Sequence, residues 1–131
     1  MSPGAEKRLL QAVMLLVLLV PLAGALLGIV RGPEAFDRTA TGVTLDSHFH
    51  YLSGLLLAMV LLFLTCVPNI ERNGARLRFV AVLPITGGFM RLVSLLAEGA
   101  PAWEHQAALA IELGVVPLIL LWQARLARRF R

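Results

Sequence analysis

The sequence predicts an all-α integral membrane protein: an antiparallel four-transmembrane-helix bundle in which residues 1–131 form one domain. Three observations carry that prediction. Four apolar segments are each long enough to cross roughly 30 Å of hydrocarbon. Hydrophobic residues make up 58% of the chain and its mean hydropathy is +0.79, whereas soluble domains are usually about 45–50% apolar. Charged residues are only 15% of the total, and most fall between the apolar runs.

The first span covers about Leu9–Val30. Lys7 and Arg8 precede it, and Ala23-Gly24-Ala25 resembles a signal-peptide cleavage site. The apolar run continues beyond that site to Val30, which favours an uncleaved helix. The second span covers about Phe49–Val67, the third about Leu77–Ala97 and the fourth about Trp103–Ala124. Short connections make consecutive helices antiparallel. Pro21, Pro84 and Pro117 lie inside spans one, three and four, and each removes a backbone donor. Pro84 with Gly87-Gly88 makes span three the best candidate for a bend. Gly24 with Gly28, and Gly54 with Ala58, form small-residue pairs that permit close helix contact, within the chain or in a homodimer.

Basic residues set the orientation. Lys7 and Arg8 precede span one, Arg72, Arg76 and Arg78 follow span two, and Arg125, Arg128, Arg129 and Arg131 follow span four. The loop around Glu98 to Gln106 has no Lys or Arg, and Arg31 and Arg38 are offset by Glu34, Asp37 and Asp46. The positive-inside rule then puts both termini in the cytoplasm of a cell with the chain in its inner membrane. The net charge of +4 therefore meets lipid headgroups and gives no case for nucleic acid. The lone Cys66 excludes an internal disulfide and a Cys-pair redox site.

Two charges stand inside the apolar spans, Arg91 and Glu112. A charge at mid-membrane costs roughly 2.5–3.5 kcal/mol on insertion scales, so it pairs or lines a cavity. Arg91 sits roughly 9 Å below the outer end of span three, and Glu112 roughly 12–14 Å below the same surface on span four. These depths suit an ion pair. Seven-residue spacing puts Glu98 and Ser94 on the face of Arg91, and His105 on the face of Glu112. Span two opens on the same side with Asp46, Ser47, His48, His50 and Tyr51. One outer cavity walled by spans two, three and four is the expectation, with the inner halves nearly all apolar. Asp46 is expected as the N-cap of span two, and Trp103, Trp122 and Tyr51 as interfacial belt residues.

No metal site is predicted. His48 and His50 point about 200° apart on a helix, so they cannot share an ion with Asp46 and His105 without unwinding. Phosphate loops, nucleotide fingerprints and G-x-S-x-G are absent, so no cofactor is expected.

Several stretches carry a family resemblance. They are Asp46-Ser47-His48-Phe49-His50-Tyr51-Leu52-Ser53-Gly54-Leu55-Leu56, Ile70-Glu71-Arg72-Asn73-Gly74-Ala75-Arg76, Gly87-Gly88-Phe89-Met90-Arg91-Leu92-Val93-Ser94, and Glu112 with Pro117-Leu118 to Trp122-Gln123. Together they resemble a bacterial family of small four-span membrane proteins known only as a domain of unknown function, DUF4345. That family often has Arg where this chain has His50. The resemblance implies the four-helix membrane fold and no activity. The architecture is also similar, at fold level only, to DoxX-like proteins and the EXPERA domain.

The leading functional expectation is binding of a lipid or small amphiphile, anionic or hydroxylated, in the outer polar pocket. Its residues would be Arg91, Glu112, Glu98, His50, Asp46, His48, Tyr51, Ser94 and His105. One alternative is a small isomerase or cyclase of a polyprenyl or sterol-like substrate, with Glu112 or Asp46 as the acid or base. Another is a helper subunit that packs against a larger membrane protein.

Overall fold

The computed structural model describes residues 1–131. It contains four long helices and no strand. Helix α1 is Pro3–Arg31, α2 is Val43–Leu64 and α3 is Gly74–Glu98. Helix α4 is Trp103–Arg129, with a π-helical turn at Ile111–Val115. All four are long and apolar enough to cross a membrane. A short 3₁₀ helix, Gly32–Ala35, follows α1.

Local chemistry sets the helix ends. The Ser2 hydroxyl accepts from the Ala5 N–H at 3.2 Å, and Pro3 occupies the first turn, where its missing donor costs nothing. Helix α2 starts six residues before its predicted apolar run. Its N-cap is Gly42, so Asp46 lies inside the helix and is not the cap. Hydropathy located the apolar stretch, whereas the helix also takes in the polar turn ahead of it. The same helix stops at Leu64, short of Val67. Residues 65–73 form a knot of turns that Asn73 ties together, donating to the Pro68 carbonyl at 2.6 Å and to that of Cys66 at 3.3 Å.

The surface is inverted relative to a soluble protein. Only 22 of 131 residues are buried. Large apolar side chains such as Leu16, Phe79, Leu118 and Leu121 point outward with more than half their area exposed. A multi-pass membrane protein has this pattern, because lipid, not water, covers its outer faces.

Packing is uneven along the bundle. The core joins Leu10, Met14 and Leu18 of α1 with Val60 and Phe63 of α2, Leu77 and Val80 of α3, and Ile119 and Leu126 of α4. All lie in the half that holds both termini. In the other half the first turns of α4, Trp103–Ala110, bury no residue. Along the bundle α1 lies against α2 and α3 against α4, and α2 makes almost no contact with α4.

The terminal half also corrects the expectation of apolar inner ends. Glu6 is 4% exposed and accepts from Trp122 Nε1 at 3.0 Å and from Arg129. Trp122 is therefore a hydrogen-bond donor inside the bundle as well as a residue near a span end. Gln123 is 1% exposed and donates to the Ile70 carbonyl at 2.9 Å. Lys7 pairs with Glu71 at 3.0 Å. Burial pushes the Glu71 carboxyl up, but the hydrogen bond and charge of Lys7, helped by Arg72, outweigh it and hold the group below its ordinary value of 4.5. These contacts tie α1, the α2–α3 connection and the end of α4 into one clamp.

The two small-residue pairs have different surroundings. A Cβ at Gly28 would collide with Ser53 and come within 3.0 Å of Phe49, so this glycine lets α1 and α2 approach closely. A Cβ at Gly54 would meet nothing within 4 Å. Gly28→Leu should therefore destabilise the detergent-solubilised protein by about 1–3 kcal/mol through overpacking, while Gly54→Leu should melt like wild type. Thermal melts of the two variants check this, and equal losses would contradict the packing.

Candidate functional site

The polar site forms where α3 and the start of α4 meet in the loosely packed half. Two local features bring Glu112 to Arg91. The first is the π-helical turn. Pro117 has no N–H to donate to the Leu113 carbonyl four residues back, and just ahead of it the ladder shifts register. The Val116 N–H bonds the Ile111 carbonyl, five residues back. Such π-bulges occur mostly as single turns and often at functional sites. The irregular helix is therefore span four, and α3 runs through Pro84 and Gly87-Gly88 as one helix.

The second feature is Gly88. A Cβ there would lie 2.8 Å from the Glu112 Cβ and 2.9 Å from Leu113 Cδ2. Only glycine lets the π-turn seat this closely on α3. One turn further along α3, Arg91 then meets Glu112 directly.

Arg91 Nε donates to both Glu112 oxygens, at 3.1 and 3.3 Å. Its Nη1 lies 2.8 Å from His105 Nδ1. A guanidinium has no acceptor, so Nδ1 must accept, and a neutral ring then carries its proton on Nε2. Thus Arg91 bridges the two residues that the seven-residue spacing set on one face of span four. The Arg91 side chain is 38% exposed and that of Glu112 is 16% exposed. The guanidinium is engaged through Nε and Nη1, and Nη2 has no protein partner.

Beside the guanidinium is a cleft of about 160 Å³ lined by Arg91, Ser94, Leu95, Pro101, His105, Gln106 and Leu109. Gln106 Nε2 donates to the Pro101 carbonyl at 2.8 Å, which pins the turn above the cleft. The sequence reading missed Gln106. The available signal was a second polar side chain next to His105 in the first turns of an apolar span.

The structure brings together Arg91, Ser94, His105 and Glu112. It separates them from the polar residues of α2, so the predicted three-helix cavity becomes two sites. Near the start of α2, the His50 ring lies 2.9 Å from the Asp46 carbonyl through Nδ1, and 3.1 Å from the Ile29 carbonyl through Nε2. Asp46 Oδ2 is 3.3 Å from His50 Nδ1. These two residues fasten α2 to the end of α1. His48 and Tyr51 border a shallow open groove with Val43, Thr44 and Ser47. Glu98 is the exposed last residue of α3 and does not line the cleft. An apolar ring lies between the two sites. Phe36 packs 5.7 Å from the Phe49 ring and 6.1 Å from the His105 ring, centroid to centroid. No group of three or more His, Cys, Asp or Glu side chains is placed to hold a metal ion.

Fold and site define a class: a small all-helical protein with four membrane-length helices and one charged cleft between the last two. Residues 9–123 match the family described as Domain of unknown function (DUF4345), and the chain belongs to that family. No curated protein and no solved structure matches the chain.

The ion pair makes a direct energetic prediction. Removing one partner of a buried pair costs about 3–5 kcal/mol, while replacing both with apolar groups is often neutral. Arg91 is partly open, so Arg91→Leu should cost an amount near the lower end, about 3 kcal/mol. The double variant Arg91→Met with Glu112→Leu should recover to within about 1 kcal/mol of wild type. Unfolding equilibria in detergent measure both, and a double variant as unstable as the single one would contradict the pairing.

Proposed function

We propose that this chain is a multi-pass protein of the bacterial inner membrane, with both termini cytoplasmic, that binds the polar head of a lipid or small amphiphile in the Arg91 cleft. One observation carries this reading. Of the five guanidinium N–H donors, Nε–H is taken by Glu112 and one Nη1–H by His105, and Nη2 has no protein partner. The Arg91 side chain is 38% exposed, so these donors are open to a ligand oxygen or to water.

Size favours a head over a whole ligand. Pockets for drug-sized ligands run about 300–1,000 Å³, and this cleft has about 160 Å³. It would admit a headgroup, with the chains lying along the outer face of α3. Met90, Val93 and Leu96 present exposed apolar surface there. The orientation rests on the basic residues at the terminal end. Binding accounts for the geometry better than turnover does. Both Glu112 oxygens are engaged by Arg91 Nε, and Asp46, the other candidate acid or base, lies with His50 on α2.

A second reading, a helper subunit for a larger membrane protein or a second copy, draws on the open face at Gly54. Native mass spectrometry separates the two. Wild type released from mild detergent should carry a discrete lipid-sized adduct. Gln106→Leu, which replaces a polar lining side chain and leaves the Arg91–Glu112 pair intact, should lose the adduct while the protein stays folded, its stability falling only by about 1 kcal/mol for the lost Pro101 hydrogen bond. An adduct unaffected by Gln106→Leu, or none in wild type, would overturn cleft binding and leave the helper-subunit reading.

A further inference from the structure

The charge around the cleft constrains the headgroup it can take. Charged residues divide sharply between the two ends of the bundle. The terminal end holds nine Lys and Arg against Glu6 and Glu71, a net of +7. The cleft end holds Arg31, Arg38 and Arg91 against six carboxylates, a net of −3 with the histidines counted neutral. The carboxylates are Glu34, Asp37, Asp46, Glu98, Glu104 and Glu112. An anionic head approaching the cleft would therefore meet a field of its own sign.

Inside the cleft the balance is neutral. Glu112 compensates Arg91 at 3.1 Å. His105 accepts from Arg91, so it adds no charge. Ser94 and Gln106 are uncharged. Donors nevertheless predominate: three N–H groups of Arg91, the Ser94 hydroxyl and the second ring nitrogen of His105. A neutral, donor-rich site complements an oxygen that accepts hydrogen bonds without carrying charge. A phosphate or carboxylate would bring an anion to a site that already has one, and shed its water without a free cation in return.

We infer that the Arg91 cleft selects an uncharged lipid head bearing acceptor oxygens, and rejects anionic phospholipid heads. This inference rests on the cleft-binding reading above. The shared chemistry is an acceptor oxygen on a neutral head, supplied either by the ester carbonyls of a glyceride or by the hydroxyl of a prenyl alcohol.

The test uses the full chain in mild detergent with added dioleoylglycerol, geranylgeraniol or dioleoylphosphatidylglycerol, read by native mass spectrometry. At equal concentration, at least one neutral probe should be retained roughly tenfold more than the anionic one. The glyceride and prenyl-alcohol arms distinguish the source of the oxygen. The preference should vanish in Ser94→Leu, which removes a lining hydroxyl and leaves the ion pair in place. Glu112→Gln supplies the charge control. It keeps an acceptor for Arg91 Nε and leaves the guanidinium uncompensated, so retention of the phosphatidylglycerol should rise relative to wild type. Equal or stronger retention of the anionic probe by wild type, lost in Ser94→Leu, would overturn the neutral-head inference and preserve cleft binding. Retention of every probe unchanged by Ser94→Leu, or of none, would overturn both.

Discussion

The contact that organises the open half of this protein is the guanidinium of Arg91 held between the Glu112 carboxylate and the His105 ring. A charge among apolar helices must be paired, and pairing requires that α3 and α4 approach at one depth. Gly88 permits the approach, and the π-turn ahead of Pro117 turns Glu112 into it. The cleft beside Ser94 and Gln106 is what remains once that contact is made. Its surplus of donors and its neutrality follow from Arg91 being engaged through Nε and Nη1 while Nη2 has no protein partner.

The two halves of the bundle do different work. At the terminal end, Trp122 and Arg129 donate to Glu6, Lys7 pairs with Glu71, and Gln123 donates to the Ile70 carbonyl. Nearly the whole apolar core lies in that half. Helix α2 makes almost no contact with α4 along the bundle, and at the cleft end Phe36 lies between the Phe49 and His105 rings. A tight half and a loose half separate most of the packed core from the Arg91 cleft. Local opening near the cleft need not disturb the core.

Much of this was legible in the sequence because the physics was one-dimensional. Hydropathy over a bilayer's length gave the four helices, and depth along two antiparallel spans gave the Arg91–Glu112 pair. The seven-residue rule placed His105 beside Glu112. What was not legible depended on lateral placement. Nothing in the sequence said that α2 would pair with α1 and carry Asp46, His48, His50 and Tyr51 away from α4. Glu6 was hidden because its partners, Trp122 and Arg129, lie more than one hundred residues away. The π-turn was masked by a more conspicuous Pro84 with Gly87-Gly88, where the helix runs on.

The most direct measurement of this account is the Arg91 side chain itself, by nitrogen-edited NMR of the labelled protein in lipid nanodiscs, with and without dioleoylglycerol or geranylgeraniol. The account predicts an Nε–H that exchanges slowly with water because Glu112 accepts it, and Nη resonances that move when the neutral lipid is added while Nε stays in place. An Nε–H exchanging as fast as that of the exposed Arg131, or Nη resonances indifferent to lipid, would contradict it.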